Sequence, residues 1–243
     1  MRTTLTIARR EIASYFDSLV AYVMLVLFLG FSGFFTWFYG SDVFLVGQAS
    51  LSVFFAIAYW SLFFFIPALT MRLIAEERKS GTLELMLTKA LNQRQWLMGK
   101  FLAAWFLIAV ALLCTLPYII TLYYIGNPDT GQMIGGYLGL LLMSASYIGV
   151  GIFASSLTSN QVVAFLIALV IGLCFHIVFG VLSQNLTGMA GQVFFYLNMS
   201  NHFEGIARGV VDTRNIIYFV SIAFLGVYLA EQQINRIKIS GQS

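Results

Sequence analysis

Few residues in this 243-residue chain have the types and spacing for chemistry. Ser32 stands in the string Gly30-Phe31-Ser32-Gly33, and His176 is an imidazole inside an apolar run. A serine beside a histidine could act as nucleophile and base in cleaving a peptide bond within a membrane. The serine falls in the first apolar run and the histidine in a late one, so an intramembrane serine protease is a remote alternative. Gly99-Lys100 is followed by Phe101, with no glycine five residues upstream, so it is not a phosphate-binding loop. Cys114 and Cys174 each lie mid-run, with neither disulfide nor metal spacing. No catalytic, cofactor-binding or metal-binding residue emerges from this survey.

Charge concentrates in two other places. Between Arg72 and Lys100 lie Glu76, Glu77, Arg78, Lys79 and Glu84, interleaved with Gly81, Thr82 and a group of leucines. Near the other end, Glu204, Arg208 and Asp212 recur every four residues. That spacing predicts i,i+4 partners along one helical face and a latch between them.

The elements that would position these groups follow from composition. Sixty per cent of the residues are apolar or aromatic and 9% are charged, against about a quarter charged in soluble domains. A water-soluble enzyme is thereby excluded. Six stretches approach the roughly 20 apolar residues that a bilayer crossing needs. They are Leu19–Tyr39, Ala49–Met71, Phe101–Ile125, Gln132–Phe153, Val162–Leu182 and Asn215–Ile234. The first reads as a retained anchor rather than a cleaved leader. The expected fold is an all-α membrane protein forming a single domain over 1–243.

An even number of crossings puts both termini and the 72–100 loop on one side. That side carries 11 basic residues, while Arg208 and Arg214 are the 2 on the other. The bias makes the first side cytoplasmic. The spans hold no charged residue except near their ends, so energy for uphill transport would have to come from outside the chain.

Three segments flank the spans. Residues 1–18 predict an in-plane amphipathic helix, with Leu5, Ala8, Ile12, Tyr15, Phe16 and Leu19 on the apolar arc and Ile7 off it. The 72–100 loop predicts a helical continuation of the second span that stops at Gly81. Thr82 would cap a second short helix, Asn92 would open the third span, and Trp96 would sit at the interface. Such an elbow is much longer than a mere connection and reads as a docking surface. The 183–214 segment predicts short re-entrant helices on the far side. Gly131, Gly135 and Gly139 mark a small face for close helix contact. Pro67 and Pro117 would kink the second and third spans.

The run Glu76-Glu77-Arg78-Lys79-Ser80-Gly81-Thr82-Leu83-Glu84-Leu85-Met86-Leu87-Thr88 resembles the cytoplasmic signature of ABC-2 type permeases, the membrane subunits of ABC exporters. The resemblance extends to the N-terminal helix, the six spans and the stretch from His202 to Arg214. Within the family it is most similar to the gliding-motility-associated type (GldF). It implies two ABC ATPase subunits that carry ATP and Mg, and a second permease, identical or different, such as one with a large extracytoplasmic domain. It implies coupling to the ATPase through Glu76, Glu77, Arg78, Gly81, Thr82 and Glu84. It also implies a bacterial inner (cytoplasmic) membrane location, no nucleic-acid partner and no catalysis in this chain. A non-transporting mechanical relay, driving an outer partner with the same ATPase, is the alternative.

Overall fold

The computed structural model describes residues 2–38, 50–83 and 92–240, and these are helical with no strand among them. Glu84 and the leucine-rich stretch after it lie outside the described residues. Helix α1 (Arg2–Asp17) meets α2 (Leu19–Trp37) at Ser18, whose extended backbone turns the chain. The second span is α3 (Ser52–Thr70), and α4 (Arg72–Lys79) prolongs it. The third span is α5 (Gln93–Leu113) followed by α6 (Pro117–Ile125). The fourth is α7 (Thr130–Leu157). The fifth is α8 (Gln161–Leu173), a π-turn at Cys174–Val178, and α9 (Phe179–Asn185). Two short helices, α10 (Gly188–Leu197) and α11 (Met199–Ala207), precede the sixth span, α12 (Thr213–Ser240).

Six of these helical stretches are long and apolar enough to cross a membrane, in the order the composition predicts. Alternation places α1, α4 and the end of α12 on one face, called here the elbow face, with α10 and α11 on the far face.

Short polar side chains start most of the spans. Asn92 accepts from the Arg94 N–H at 3.1 Å, Asp129 from Gly131 at 2.8 Å, and Asn160 from Val162 at 3.0 Å. Each satisfies an N–H that the first helical turn leaves without a partner. Asp212 does the same for α12, accepting from Arg214 at 2.9 Å. Proline accounts for one break: Pro117 cannot continue α5 and instead occupies the first turn of α6.

The fourth span is the hub. In its most apolar window 72% of residues are buried, against 28% for the first span and 22% for the fifth. Glycines bring its neighbours close. A Cβ on Gly149 would stand 2.6 Å from the Ala223 carbonyl, and one on Gly226 would strike the Gly149 backbone. The stripe of Gly131, Gly135 and Gly139 is covered from within the chain. Gly135 lies against the Ile206 carbonyl and Gly209, and Gly139 against the Phe203 ring.

Helix α1 departs from its expected arc. Ala8 and Tyr15 are buried, but Leu5 stays 66% exposed, and Ile7 packs against Gly99 of α5. The third span packs against this helix through Ile7, one step around from the predicted apolar stripe. Trp96, in the first turn of the third span, is 5% exposed and packs into the core.

Candidate functional site

The elbow is where charged side chains meet across elements. Helix α4 ends as its sequence predicts: Arg78 and Lys79 occupy the last turn, and Gly81 adopts φ +73°. The second short helix that Thr82 is expected to cap lies outside the described residues. The Thr82 hydroxyl donates back to the Glu77 carbonyl at 3.2 Å, as does that of Ser80, so it closes α4 from behind.

Lys100, two turns inside the third span, is only 2% exposed, yet its ammonium is satisfied. Nζ donates to Glu11 of α1 at 3.0 Å and to Glu77 of α4 at 2.8 Å. It also lies 5.1 Å from the centre of the Trp96 ring. Three elements thus share one buried cation. Glu77 Oε2 is buried without a partner among the described residues. Burial pushes the Glu77 carboxyl above the usual carboxylate range, and Lys100 pulls against that rise.

The join between α3 and α4 is held from the fourth span. Ser155 Oγ accepts from the N–H groups of Ile74 and Ala75, both at 3.0 Å, and donates to the Met71 carbonyl at 2.9 Å. A hydroxyl therefore occupies the place of one backbone bond, the insertion that breaks helices. Gly151, one turn earlier, leaves room for Thr70. Arg78 reaches the last carbonyls of α7, those of Ser156 at 3.4 Å and Leu157 at 3.3 Å.

The expected coupling residues therefore divide. Glu77 and Arg78 turn inward and fasten the elbow to the third and fourth spans. Glu76, Lys79, Gly81 and Thr82 are exposed. Glu76, Glu77 and Thr82 also line a polar cleft of about 430 Å³ shared with Arg10, Glu11 and Arg72. Sequence reasoning missed Lys100, Glu11 and Ser155. A glycine and a lysine adjacent within an apolar span were the available signal for the first.

On the far face the four-residue rhythm is broken. Glu204 and Arg208 pair at 3.2 Å, both well exposed. Asp212 does not share their face, because α11 ends at Ala207, Gly209 turns at φ +89°, and Asp212 caps α12 instead. The firmer tie here is His202. Its Nε2 faces the Tyr196 carbonyl at 2.9 Å, its Nδ1 meets the Asn215 side chain at 2.7 Å, and its ring stacks on Tyr218 at 3.9 Å.

Ser32 and His176 do not form a dyad. Ser32 donates to the Leu29 carbonyl, as a helix-interior serine does, whereas His176 Nδ1 meets the Tyr147 hydroxyl at 2.8 Å. The His176 ring is packed among Tyr59, Trp60 and Phe63. It is a core histidine.

No curated protein matches the chain. A family profile does, described as ABC-2 family transporter protein, over residues 40–230. That stretch covers four of the six spans whole, most of the sixth, the elbow and the far-face helices. With its six apolar helices and this match over most of its length, the chain belongs to the ABC-2 family of transporter membrane proteins and is a multi-pass permease.

Proposed function

We propose that this permease is the moving membrane part of an ATP-driven exporter and takes its force at the elbow from separate ATPase subunits. ATP and Mg are bound there and not by this chain. Two ATPases and a second permease, whether a copy of this chain or a relative with a large outer domain, complete the assembly. The elbow face and both termini are cytoplasmic, on the strength of the 11-to-2 basic bias. A bacterial inner membrane and a role in gliding motility are the finer parts of the same reading and rest on the resemblance alone.

The observation that carries the proposal is the buried Lys100. Because it grips Glu77 and Glu11 together, a push on the elbow is shared at once by α1 and the third span. Ser155 and Arg78 pass the same push to the fourth span. Exposed Glu76, Lys79, Gly81 and Thr82 offer the docking surface, and Glu84 is assigned to it as well.

The test uses an ATPase encoded beside the permease gene. Glu76→Lys and Lys79→Glu reverse exposed charges without touching the Lys100 grip. Both variants should reach the membrane normally and lose co-purification with the ATPase. Full recovery of the ATPase with both would sink the proposal.

A second reading, a mechanical relay without cargo, draws on one observation. The elbow and the far-face helices bear on the same helix, α7, at Ser155 and at Gly135. Reconstituted vesicles decide: ATP-dependent movement of the far face with no flux of any cargo favours the relay.

A further inference from the structure

The third and sixth spans both lean on the fourth but leave a gap between themselves. Trp105 of α5 donates to the Leu141 carbonyl at 3.0 Å, and α12 meets α7 where Gly149 and Gly226 touch. Between these two contacts a cleft of about 480 Å³ opens at the side of the bundle. Each wall is one helical stripe with the same rhythm. Arg94, Met98, Phe101 and Trp105 line it from α5, and Val220, Phe224, Val227 and Glu231 from α12. The helices run in opposite directions, so both charged residues fall at the elbow end.

Beyond those two charges the named walls are apolar, and the Trp105 N–H is already used within the protein. Arg94 holds its guanidinium 5.7 Å from the centre of the Phe224 ring, two turns inward of Glu231. Neither Arg94 nor Glu231 forms an ion pair with another described side chain. The stripe from Arg94 to Trp105 rises about 16 Å, roughly half the hydrocarbon thickness of a bilayer.

We propose that this cleft is a binding site for an ethanolamine phospholipid of the leaflet on the elbow side. The order of chemistry along the cleft matches that molecule from tail to head. An acyl chain fills the apolar stripe, the phosphodiester meets the Arg94 guanidinium, and the primary ammonium meets the Glu231 carboxylate. A glycerol headgroup brings no cation to Glu231. A choline headgroup brings a cation without N–H donors, which cannot hydrogen-bond the carboxylate. The proposal needs only the bilayer and stands apart from any ATPase coupling.

Native mass spectrometry of the delipidated full chain tests it, with an equimolar mixture of dioleoyl phosphatidylethanolamine, phosphatidylglycerol and phosphatidylcholine as the probe. The wild type should retain one ethanolamine lipid per chain in preference to the others. Arg94→Gln should lower that retention about tenfold, the effect of one charge-assisted hydrogen bond. Glu231→Gln should erase the preference over choline lipid and raise the share of the glycerol lipid. Ala145 of α7 also lines the cleft, and Ala145→Phe, which fills it, should exclude all three; the two charge variants keep the test decisive if that chain folds poorly. Unchanged lipid selection in both charge variants would overturn the site. So would a lipid-free dimer that Ala145→Phe splits into monomers, since a second copy would then cover the cleft.

Discussion

At the scale of single residues, Lys100 is the side chain whose loss should be felt most. Its ammonium is out of water, so its cost of burial is offset by Glu11 and Glu77 and by the Trp96 ring. Lys100→Met removes the cation and leaves the two carboxylates facing each other. We expect a loss of about 3 kcal/mol, the low end for a broken buried pair, because both carboxylates remain about a fifth exposed. The penalty should depend on pH with a definite sign. Glu77 already has its carboxyl raised above the usual range by burial, and Lys100 is the chief influence holding it down. A raised native pKa contributes stability at low pH and loses it as pH climbs through that pKa. Without Lys100 the carboxyl rises further, so the deficit should be large near pH 8 and shrink toward pH 5. Thermal unfolding of the purified chain in detergent at the two pH values checks this. A deficit that is constant with pH would show that Glu77 is not left stranded.

At the scale of elements, the join of α3 and α4 is a helix break with a known occupant. Ser155→Ala withdraws one hydroxyl from three backbone groups, the N–H of Ile74 and Ala75 and the carbonyl of Met71. Leaving such groups unpaired costs about 1–3 kcal/mol. Hydrogen exchange at the amides of Ile74 and Ala75 should accelerate in the variant while the amides of α7 keep their protection. Unchanged exchange would mean that the backbone closes the break by itself. None of this was legible in the sequence, because a serine near the end of a span has the same pattern whether it faces lipid, solvent or a broken helix. What was legible came from periodicity and local rules. The stop at Gly81 needs only a residue at ease with positive φ, and the start at Asn92 needs only a side chain that can bond an N–H within the first turn. Asp212 shows the limit of spacing. Four-residue intervals predict one face only while the helix lasts, and Gly209 ends it.

At the scale of the whole molecule, six crossings were readable because the bilayer requires long uncharged runs, and the charges fall outside them or at their ends. Which crossing stands at the centre was not readable, since a glycine face announces close contact without naming the partner. The structure names it: α7 carries Ser155 against the elbow at one end and Gly135 against α11 at the other. Its 28 residues span about 42 Å, enough to link the two faces directly. The last prediction concerns this helix as a transmitter. A side chain at Gly135 would run into the Ile206 carbonyl and crowd Gly209, so Gly135→Val should wedge α11 away from α7 without disturbing the elbow. A fluorophore on Val210→Cys, at a side chain 68% exposed, reports on the far face once Cys114 and Cys174 are replaced. In the parent chain, nucleotide supplied to the bound ATPase should change that signal. In the Gly135→Val chain the ATPase should still co-purify, because its docking surface lies at the opposite end, and the nucleotide-dependent change should vanish. If the signal still responds in the wedged chain, force reaches the far face by another route, and the tie of His202 to α12 at Asn215 and Tyr218 becomes the next path to cut.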